Sequence, residues 1–386
     1  MKRWCCGLLP LAFAVPAAAQ QVATSAELRA ALAAAAPGAV VAEAPGPYDS
    51  LHVAEVHGAA GKPIVVRAAD PKSRPGFRGQ VHFADVSHFE LHGLEFTGSA
   101  TNGLNIDDGG TPASPSHHVV LRDLHVHDSG GGGNHDGIKL SGVDDFRIEL
   151  CTVERWGRNG SAVDMVGCRR GLVLDCTFRD REQDAAATGV QMKGGTRDVT
   201  LRGCRFEHAG QRAVNLGGST GLDYFRPRPE GFEAKDLVVE GCTFLGSLAP
   251  LAFVGCDGAV VRHNTFWRPG KWVLRILQET REPGFVPCRG GVFTDNLVVV
   301  NGLDASVNIG PDTAAESFSF ARNFWFRDDG PQRAPQLPVS EAKPAGGADP
   351  RFVDVAKGDL RLQPGSPAKA HGATSLAVSK QPPAKR

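Results

Sequence analysis

One nine-residue pattern recurs along the chain at intervals of about 22 to 38 residues, which is the length of one turn of a solenoid. Its clearest copies are residues 145–153 (DFRIELCTV), 170–178 (RGLVLDCTF) and 198–206 (DVTLRGCRF). The other copies begin at His88, His118, Asp236, Gly258, Gly290 and, in a weaker form, Ser317. Because one repeat of this length cannot bury its apolar face alone, the copies predict stacked coils whose differences in length are absorbed by loops.

Two positions of the pattern keep one type of residue over several copies. The seventh position reads Leu94, Leu124, Cys151, Cys176, Cys204, Cys242, Asn264, Asn296 and Asn323. The ninth position reads Phe96, Val126, Val153, Phe178, Phe206, Phe244, Phe266 and Val298. Stacked strands lie about 4.8 Å apart, so like residues form columns inside the solenoid. We therefore predict an all-β fold, a single-stranded right-handed parallel β-helix of about nine coils, with one aromatic column and one column that changes from thiol to amide.

The cysteines follow from the same register. The four at the seventh position are expected to form a buried apolar ladder with no disulfides among them. Cys256 and Cys288 lie on adjacent coils, and the sequence leaves open whether they pair, because pairing depends on geometry.

The two ends of the chain differ from the repeat region. Residues 1–19 combine a basic start, a short apolar run and a small-residue cleavage site, which predicts a signal peptide and a secreted or periplasmic protein. Residues 24–27 (TSAE) form a capping box, which predicts a helix that covers the first coil. We expect the capped right-handed β-helix to occupy residues 20–328, and a Pro-rich C-terminal segment and tail to occupy residues 329–386.

Charge narrows the choice of partner. The sequence has 42 Lys+Arg and 42 Asp+Glu residues. A balanced charge argues against nucleic acid, which needs a basic excess, and against electrostatic binding to a membrane. We expect a monomer.

A second short strand follows each copy of the pattern, and its apolar residues alternate with residues that face outward. The outward positions read Asn105, Lys139, Asp164, Gln191, Asn215, Ala252, Arg275 and Asn308. Lys193 faces the same way two residues after Gln191. This rigid, polar face is the predicted functional site, although a ladder of surface salt bridges would give the same pattern.

Two long loops flank the predicted face. Residues 217–233 contain Tyr224 and Arg226, and residues 278–288 follow Trp272 closely. Aromatic and arginine side chains on such loops suit sugar rings and carboxylates. Plain surface loops remain the alternative. Residues 134–137 (NHDG) are either catalytic or a simple turn.

The 13 histidines show no spacing that is a strong metal signature. By register, His127 stacks beside Glu154 in an alternating ladder of surface charges. Asp107, Asp108 and Asp136 are candidate calcium ligands, but they form no complete set, so calcium remains possible and no other cofactor is indicated.

The N-terminal part resembles a known family. Residues 26–50 (AELRAALAAAAPGAVVAEAPGPYDS), with residues 61–71 (GKPIVVRAADP) and 93–96 (GLEF), resemble the opening of the chondroitinase-B-type alginate and chondroitin lyases. The resemblance covers roughly the first quarter of the mature chain, and the rest resembles right-handed β-helix proteins in general. In such lyases a lysine acts as the base, an arginine assists, and calcium often neutralises the uronate.

Two other functional classes stay open. Residues 134–137, and more faintly Arg275-Ile276-Leu277, resemble motifs of inverting, pectin-active glycoside hydrolases, but the paired aspartates and the Gly-His-Gly motif of that group are missing. A non-catalytic glycan-binding or structural solenoid is the third class, because a fold does not determine a function.

We therefore expect an exported lyase that cleaves a uronate-containing, acidic polysaccharide by β-elimination. Lys139 or Lys193 would be the base, with a pKa lowered by neighbouring cations. Arg275 or Arg212 would bind the carboxylate, and Asp164 would orient Lys139 or hold a cation. The predicted substrate-binding residues are Asp136, Gln191, Asn215, Tyr224, Arg226 and Trp272. All five catalytic candidates are expected to converge within a few coils, close enough for one sugar or two.

Overall fold

The computed structural model describes residues 19–302 and 306–376. Its one α-helix, Ser25–Ala33, begins after Thr24, whose side chain accepts a hydrogen bond from the backbone N–H of Glu27 at 3.1 Å. The Glu27 carboxylate accepts in return from the backbone N–H of Ala23 at 2.7 Å. This reciprocal pair is the predicted capping box, and Leu28 and Leu32 of the helix are buried in the core.

The rest of the repeat region is a parallel β-helix whose strands stack in three columns, named here sheets A, B and C. Sheet A contains the strands Gln20–Val22, Val40–Glu43, Ile64–Ala68, Ser116–Arg122, Val143–Asp144, Arg147–Glu149, Arg169–Leu174, Thr196–Arg202, Ala234–Glu240, Cys256–Arg262, Arg289–Thr294 and Ser319–Ala321. Sheet B contains Glu95–Thr97, His125–His127, Thr152–Glu154, Thr177–Arg179, Arg205–Glu207, Thr243–Leu245, Thr265–Trp267, Leu297–Val300, Phe324–Arg327 and Ala345–Gly346. Sheet C contains Leu104–Asp107, Ile138–Ser141, Ser161–Val166, Thr188–Lys193, Arg212–Gly217, Ala249–Val254, Leu274–Leu277 and Val307–Ile309. Two long strands, Pro47–His57 and Gly76–His92, run around the first coils and contribute to more than one sheet.

The pattern found in the sequence begins at a bend in or before a strand of sheet A, includes the rest of that strand and the bend after it, and ends in the next strand of sheet B. Its first and sixth positions have a positive φ in successive coils. The first positions with this backbone are His88, His118, Asp145, Arg170, Asp198, Asp236, Gly258 and Gly290. The sixth positions are Gly93, Asp123, Leu150, Asp175, Gly203, Gly241, His263, Asp295 and Arg322. Left-handed residues at both positions turn the chain into and out of each strand, and Gly, Asp and His tolerate that conformation best.

The predicted aromatic column is present in the interior. Ring centroids lie 4.7 Å apart between Phe206 and Phe244, and 4.7 Å apart between Phe244 and Phe266, with nearly parallel planes. Phe178 stacks on Phe206 at 5.0 Å. All four rings are buried, so the column excludes water along the axis of the solenoid and contributes to its stability.

The thiol-to-amide column is also present, and both halves donate a hydrogen bond to the equivalent backbone carbonyl of the previous coil. The Cys204 thiol donates to the carbonyl of Val173, on the previous coil, at 3.6 Å. The Asn296 amide donates to the equivalent carbonyl of Val261 at 3.1 Å, and its oxygen accepts from the backbone N–H of Asn264 at 2.9 Å. The column therefore satisfies buried backbone groups where strands of sheet A end.

The prediction of free thiols is confirmed for the four column cysteines, and Cys256 and Cys288 are also unpaired and buried. The open question about a disulfide between these two residues is thus answered within the structure: both are thiols.

The C-terminal segment returns to the solenoid. A short antiparallel pair, Phe352–Asp354 and Asp359–Leu362, places Phe352 edge-on to Trp267 of sheet B at 5.5 Å. A second buried apolar cluster joins Leu297, Val299, Phe324, Phe352, Leu360 and Ala368. The segment thus covers part of the outer side of sheet B.

The predicted signal peptide, apart from its last residue, and residues 377–386 of the predicted tail lie outside the described residues. Within the part of the chain that the structure describes, no helix has the length and apolar character needed to cross a membrane.

Candidate functional site

The outward row of sheet C has the register that the sequence predicts. Lys139 pairs with Asn105 on one side and with Asp164 on the other. The register continues through Gln191, Asn215, Ala252, Arg275 and Asn308. Side chains of this row project from successive rungs of one rigid sheet, so their spacing is set by the strand spacing of about 4.8 Å.

Two lysines and two aspartates form the first group on this row, called here the lysine–aspartate cluster. The Lys139 ammonium binds the Asp164 carboxylate directly and lies 3.7 Å from the Asp136 carboxylate. The Lys193 ammonium lies 3.6 Å from the same oxygen of Asp164. Both aspartate side chains are almost fully buried, whereas both lysine side chains keep about a fifth of their surface exposed. The part of the cluster that solvent reaches therefore consists of the two ammonium groups, and the two carboxylates lie buried beneath them.

Burial and neighbouring charges together shift the pKa values of the cluster. Burial raises the pKa of Asp136 to about 6, and the nearby Asp164 carboxylate adds to the increase. Burial alone would lower the pKa of Lys139, but the charges of Asp164 and Asp136 outweigh it and raise that pKa above its usual value. The prediction that neighbouring cations lower the pKa of Lys139 is therefore wrong, because the charges nearest to its ammonium are carboxylates.

The second group, called here the arginine cluster, lies further along the row. Arg275 stacks its guanidinium on the Trp272 ring at 4.8 Å and donates to Asn308 at 2.9 Å. Burial, and then the positive charge of Arg212, lower the pKa of Arg275. Arg212 forms an ion pair with Glu279 at 2.9 Å. The positive charge of Arg212 thus acts on Arg275, which lies over the indole ring of Trp272. The Glu279 carboxylate offsets part of this positive charge.

The two groups are separate, which corrects the prediction that all five catalytic candidates converge on one or two sugars. Lys139 and Arg275 are five rungs apart in the register of sheet C, which is about 24 Å along the axis. In the row between Asp164 and Arg275, Gln191 accepts a hydrogen bond from Ser161 at 3.3 Å, and Asn215 and Ala252 are buried. This part of the row is therefore uncharged, while Lys193 and Arg212 lie beside it on two adjacent strands.

The two long loops are joined by a buried carboxylate. Glu233 accepts hydrogen bonds from the backbone N–H groups of Gly194, at 3.0 Å, and Thr220, at 2.8 Å. Its carboxylate also accepts from the hydroxyl of Thr280 in the other loop. Phe225 of the first loop contacts Phe285 of the second edge to face, with centroids 5.5 Å apart. The loops are thus anchored to each other and to the rung that carries Lys193.

Two loop residues are predicted to bind substrate, Arg226 and Tyr224, and they lie in different surroundings. Arg226 forms an ion pair with the buried Asp108 at 3.0 Å, at the corner that follows the strands of sheet C. Tyr224 is 69% exposed, so its ring is available at the surface. Within the described part of the chain, neither residue forms a hydrogen bond or an ion pair with the lysine–aspartate cluster.

The three candidate calcium ligands also have separate partners. Asp107 accepts from His82, at 2.8 Å, and from Asn105 at 3.0 Å. As described above, Asp108 pairs with Arg226, and Asp136 lies beside Lys139. Among the described residues these aspartates do not form one group of metal-ligating atoms, and in the lysine–aspartate cluster the carboxylates already have ammonium partners. The residues present therefore do not fit a calcium site there.

Sequence reasoning missed four residues of this face. His52 and His82 extend the outward row to two earlier coils, and the alternation of apolar residues around them was a usable signal. Glu279 and Glu233 gave no such signal, because each acts on a residue of a distant coil or loop.

Residues 79–279, more than half of the chain, match the family described as right handed beta helix region. Among curated proteins, none is significantly similar in sequence to this chain.

Solved structures share the fold at low sequence identity. A PL6 family polysaccharide lyase from Pseudopedobacter saltans is 15% identical with a TM-score of 0.55, and the match covers 92% of this chain and 99% of that chain. The pectate lyase Pel9A is 13% identical with a TM-score of 0.53, covering 88% of this chain and 84% of that one. A rhamnogalacturonan lyase is 16% identical with a TM-score of 0.50, covering 74% and 80% respectively. At such identities the likeness concerns the fold.

Proposed function

Because the chain belongs to the right-handed β-helix family, whose fold serves several functions, we propose from its own site that it is a lyase that cleaves an acidic, uronate-containing polysaccharide along sheet C. The observation that carries this proposal is the arrangement of four cationic side chains along one face of a rigid sheet. Lys139 and Lys193 lie at one cluster, and Arg212 and Arg275 lie at the other. A polymer with a carboxylate on each sugar complements such a face, because its repeated negative charges can meet the cations of both clusters.

The arginine cluster is the proposed binding subsite for a uronate. The guanidinium of Arg275 lies over the Trp272 ring, and a planar guanidinium binds a carboxylate through two hydrogen bonds. Trp272 offers an apolar surface beside it for the face of a sugar ring. Arg212 would share the same carboxylate, which relieves its repulsion with Arg275.

The lysine–aspartate cluster is the proposed catalytic group. In β-elimination a base takes the proton at C5 of the uronate, the C5–H electron pair forms the C4–C5 double bond, and the C4–O bond breaks. The oxygen leaves with the bonding pair and receives a proton. The charge that develops on the carboxylate must be neutralised. Lys139, whose raised pKa keeps it charged, would neutralise the carboxylate, and Lys193, in its neutral amine form, would take the proton and become an ammonium.

Asp164 would act through the two lysines. It is bound by Lys139 and lies 3.6 Å from Lys193, so it fixes both ammonium groups relative to the substrate. We assign it the role of a positioning residue, because its buried carboxylate is covered by the lysines.

One observation favours a hydrolase as the second candidate. Asp136, with a pKa raised to about 6, lies in the same cluster as Asp164. A carboxyl group that holds its proton up to about pH 6, beside a second carboxylate, is the arrangement of the acid and base of a glycosidase. The two carboxyl groups would then protonate the leaving oxygen and activate a water molecule.

Product analysis separates the candidates. The purified protein is incubated with a panel of uronate polymers, while the ultraviolet absorbance of the unsaturated product and the number of new reducing ends are followed. We expect both to increase together for at least one polymer. Reducing ends without absorbance would replace the lyase by the hydrolase, and binding without either would leave a glycan-binding module.

A pair of matched variants tests the role of Lys193. We expect Lys193→Ala to lower turnover by at least about 100-fold, because it removes the base. The control is Lys235→Ala on sheet A, since Lys235 also lies 3.6 Å from an aspartate, Asp257. Equal activity of both variants would remove Lys193 from the chemistry. Lys235→Ala should keep the wild-type melting temperature within a few degrees, since a surface pair contributes about 0–1 kcal/mol, and in Lys193→Ala the buried Asp164 keeps Lys139 as its partner.

The surroundings of the reaction follow from the same proposal. We propose that the protein is exported, because residues 1–19 have the composition of a signal peptide and large polysaccharides lie outside the cell. We also propose that it acts as a monomer, since the functional face belongs to a single chain. Size-exclusion chromatography with light scattering and analysis of cell fractions test the two statements.

A further inference from the structure

Three histidine side chains meet on the outer side of sheet A, away from the residues proposed to act on polysaccharide. His88 and His118 occupy the same pattern position on adjacent coils, and their rings stack with centroids 4.3 Å apart. His117 lies beside them, and its Nδ1 atom is 2.9 Å from Nδ1 of His118. One ring nitrogen from each residue lies within 4.8 Å of the other two.

The backbone explains why consecutive histidines can face the same ligand. Neighbouring residues of a regular strand point to opposite sides. His118 has a φ of +54° and His88 a φ of +47°, and this left-handed bend lets the His118 ring lie next to that of His117. Other coils have Asp, Arg or Gly at the same position, so the fold requires the bend and not an imidazole.

The ring nitrogens of this group are available. Among the described residues, no ion pair joins His88, His117 or His118 to a carboxylate, whereas other histidines of the chain have one. Burial, and then the neighbouring imidazoles, lower the pKa of His88. His118 is exposed and the other two are partly buried, so an ion can enter from solvent.

A second histidine group provides a contrast. Glu95, His125 and His127 also place ligand atoms close together. There, however, His127 lies 2.7 Å from Asp128, and His125 lies 3.4 Å from Glu154. These side chains form the alternating ladder of charges expected from the sequence, which needs no ion.

Carboxylates surround the group of three without entering it. Asp144 pairs with His117 in the register of sheet A, and Asp144 and Asp145 both bind Arg170. They supply negative charge next to the imidazoles, which favours a cation, while Arg170 keeps them from acting as ligands.

We propose that His88, His117 and His118 form a binding site for one divalent transition-metal ion, with Zn²⁺ as the probe. Imidazole nitrogens are preferred ligands of zinc, at about 2.0–2.1 Å, and a tetrahedral ion at that distance holds them about 3.3 Å apart. Small rotations of the three rings bring them to this spacing. Three protein ligands leave a coordination position open for water or for an anionic ligand.

Isothermal titration of the untagged, chelator-treated protein with ZnCl₂ tests the proposal. We expect one zinc ion per chain, and a loss of at least about 100-fold in affinity for His88→Asn, His117→Gln and His118→Asn, since even an outer-shell partner accounts for 10- to 100-fold. Asparagine is chosen at the bends because it tolerates a positive φ. A cobalt titration followed by visible absorbance reports the coordination geometry independently of affinity.

The control is His127→Gln in the second group, which should bind zinc like the wild type. Loss of binding in His127→Gln with retention in His118→Asn would move the site to the second group and overturn the proposal. Absence of saturable binding to the wild type would also overturn it. His118 is exposed, so its variant remains informative even where a change at His117 prevents folding.

Discussion

Glu43 gives the sharpest test of how burial governs this structure. It ends a strand of sheet A on the first coils, its side chain is 0% exposed, and neither carboxylate oxygen has a hydrogen-bond partner among the described residues. Burial raises its pKa from 4.5 to about 8. The native protein therefore keeps a proton on Glu43 at neutral pH that the unfolded chain releases.

The sign of the effect follows from that difference. Below pH 4.5 both states hold the proton, and Glu43 has no pH-dependent effect on folding. As the pH rises from 4.5 to about 8, the unfolded state binds fewer protons than the native state, so the free energy of unfolding falls. Each pH unit changes it by about 1.4 kcal/mol, so the total loss is on the order of 5 kcal/mol above pH 8.

Glu43→Gln keeps the shape and removes the ionisation. We expect the stability of the variant relative to the wild type to increase steadily between pH 5 and pH 8, by several kcal/mol in total. Urea denaturation at a series of pH values measures it, and hydrogen exchange over residues 20–68 shows whether the change is local to the first coils. Glu182→Gln, at an exposed position, is the control and should show no such trend. A constant difference between Glu43→Gln and the wild type over this range would refute the reasoning.

Four further variants test the interior and the loops. Asn296→Ala should lower the free energy of unfolding by about 2–6 kcal/mol in urea denaturation, because it leaves two buried backbone groups unpaired, the N–H of Asn264 among them. Cys204→Ala, in the thiol half of the same column, should cost only about 1–2 kcal/mol, since a thiol is a weak donor; equal losses would contradict the assigned difference. Phe206→Ala should cost about 3–5 kcal/mol by the same measurement, and a loss below 1 kcal/mol would exclude a packed aromatic column. Glu233→Ala should increase hydrogen exchange and proteolysis in residues 217–233 and 278–288 together, whereas a change in one loop alone would show that the carboxylate does not couple them.

The interior of this fold could be predicted from the sequence because stacking repeats each environment. A position that is buried against its own copy on the next coil selects similar residues, so Phe206 and Phe244 or Cys204 and Cys242 occur at the same place in successive copies. The register of the outward row followed from the same alignment. The sequence alone therefore predicts that Lys139 and Asp164 lie on adjacent rungs, as they do.

The pKa changes at the site cannot be predicted from the repeat pattern. The alignment of the copies places Lys139 beside Asp164, but the sign of its pKa change depends on the distances to the carboxylates of Asp164 and Asp136 and on burial. Glu233 illustrates the same limit. Its partners, Gly194, Thr220 and Thr280, lie on a neighbouring coil and in two loops. Loops lack the periodic sequence pattern from which the strands are predicted.

Under the proposed function, the separation of the two clusters has a consequence for substrate size. The rung of Lys193 and the rung of Arg275 are three steps apart, which is about 14 Å along the axis. A parallel β-helix cannot shorten this distance, since every step is fixed by backbone hydrogen bonds and by packed columns inside. The loops joined by Glu233 are anchored on the same rungs. One uronate therefore cannot contact Lys193 and Arg275 together, whereas an extended chain can, and the gain from the second contact comes without further loss of overall motion. The solenoid thus favours a polymer over its monomers through its spacing, even though each cluster alone would bind any small carboxylate.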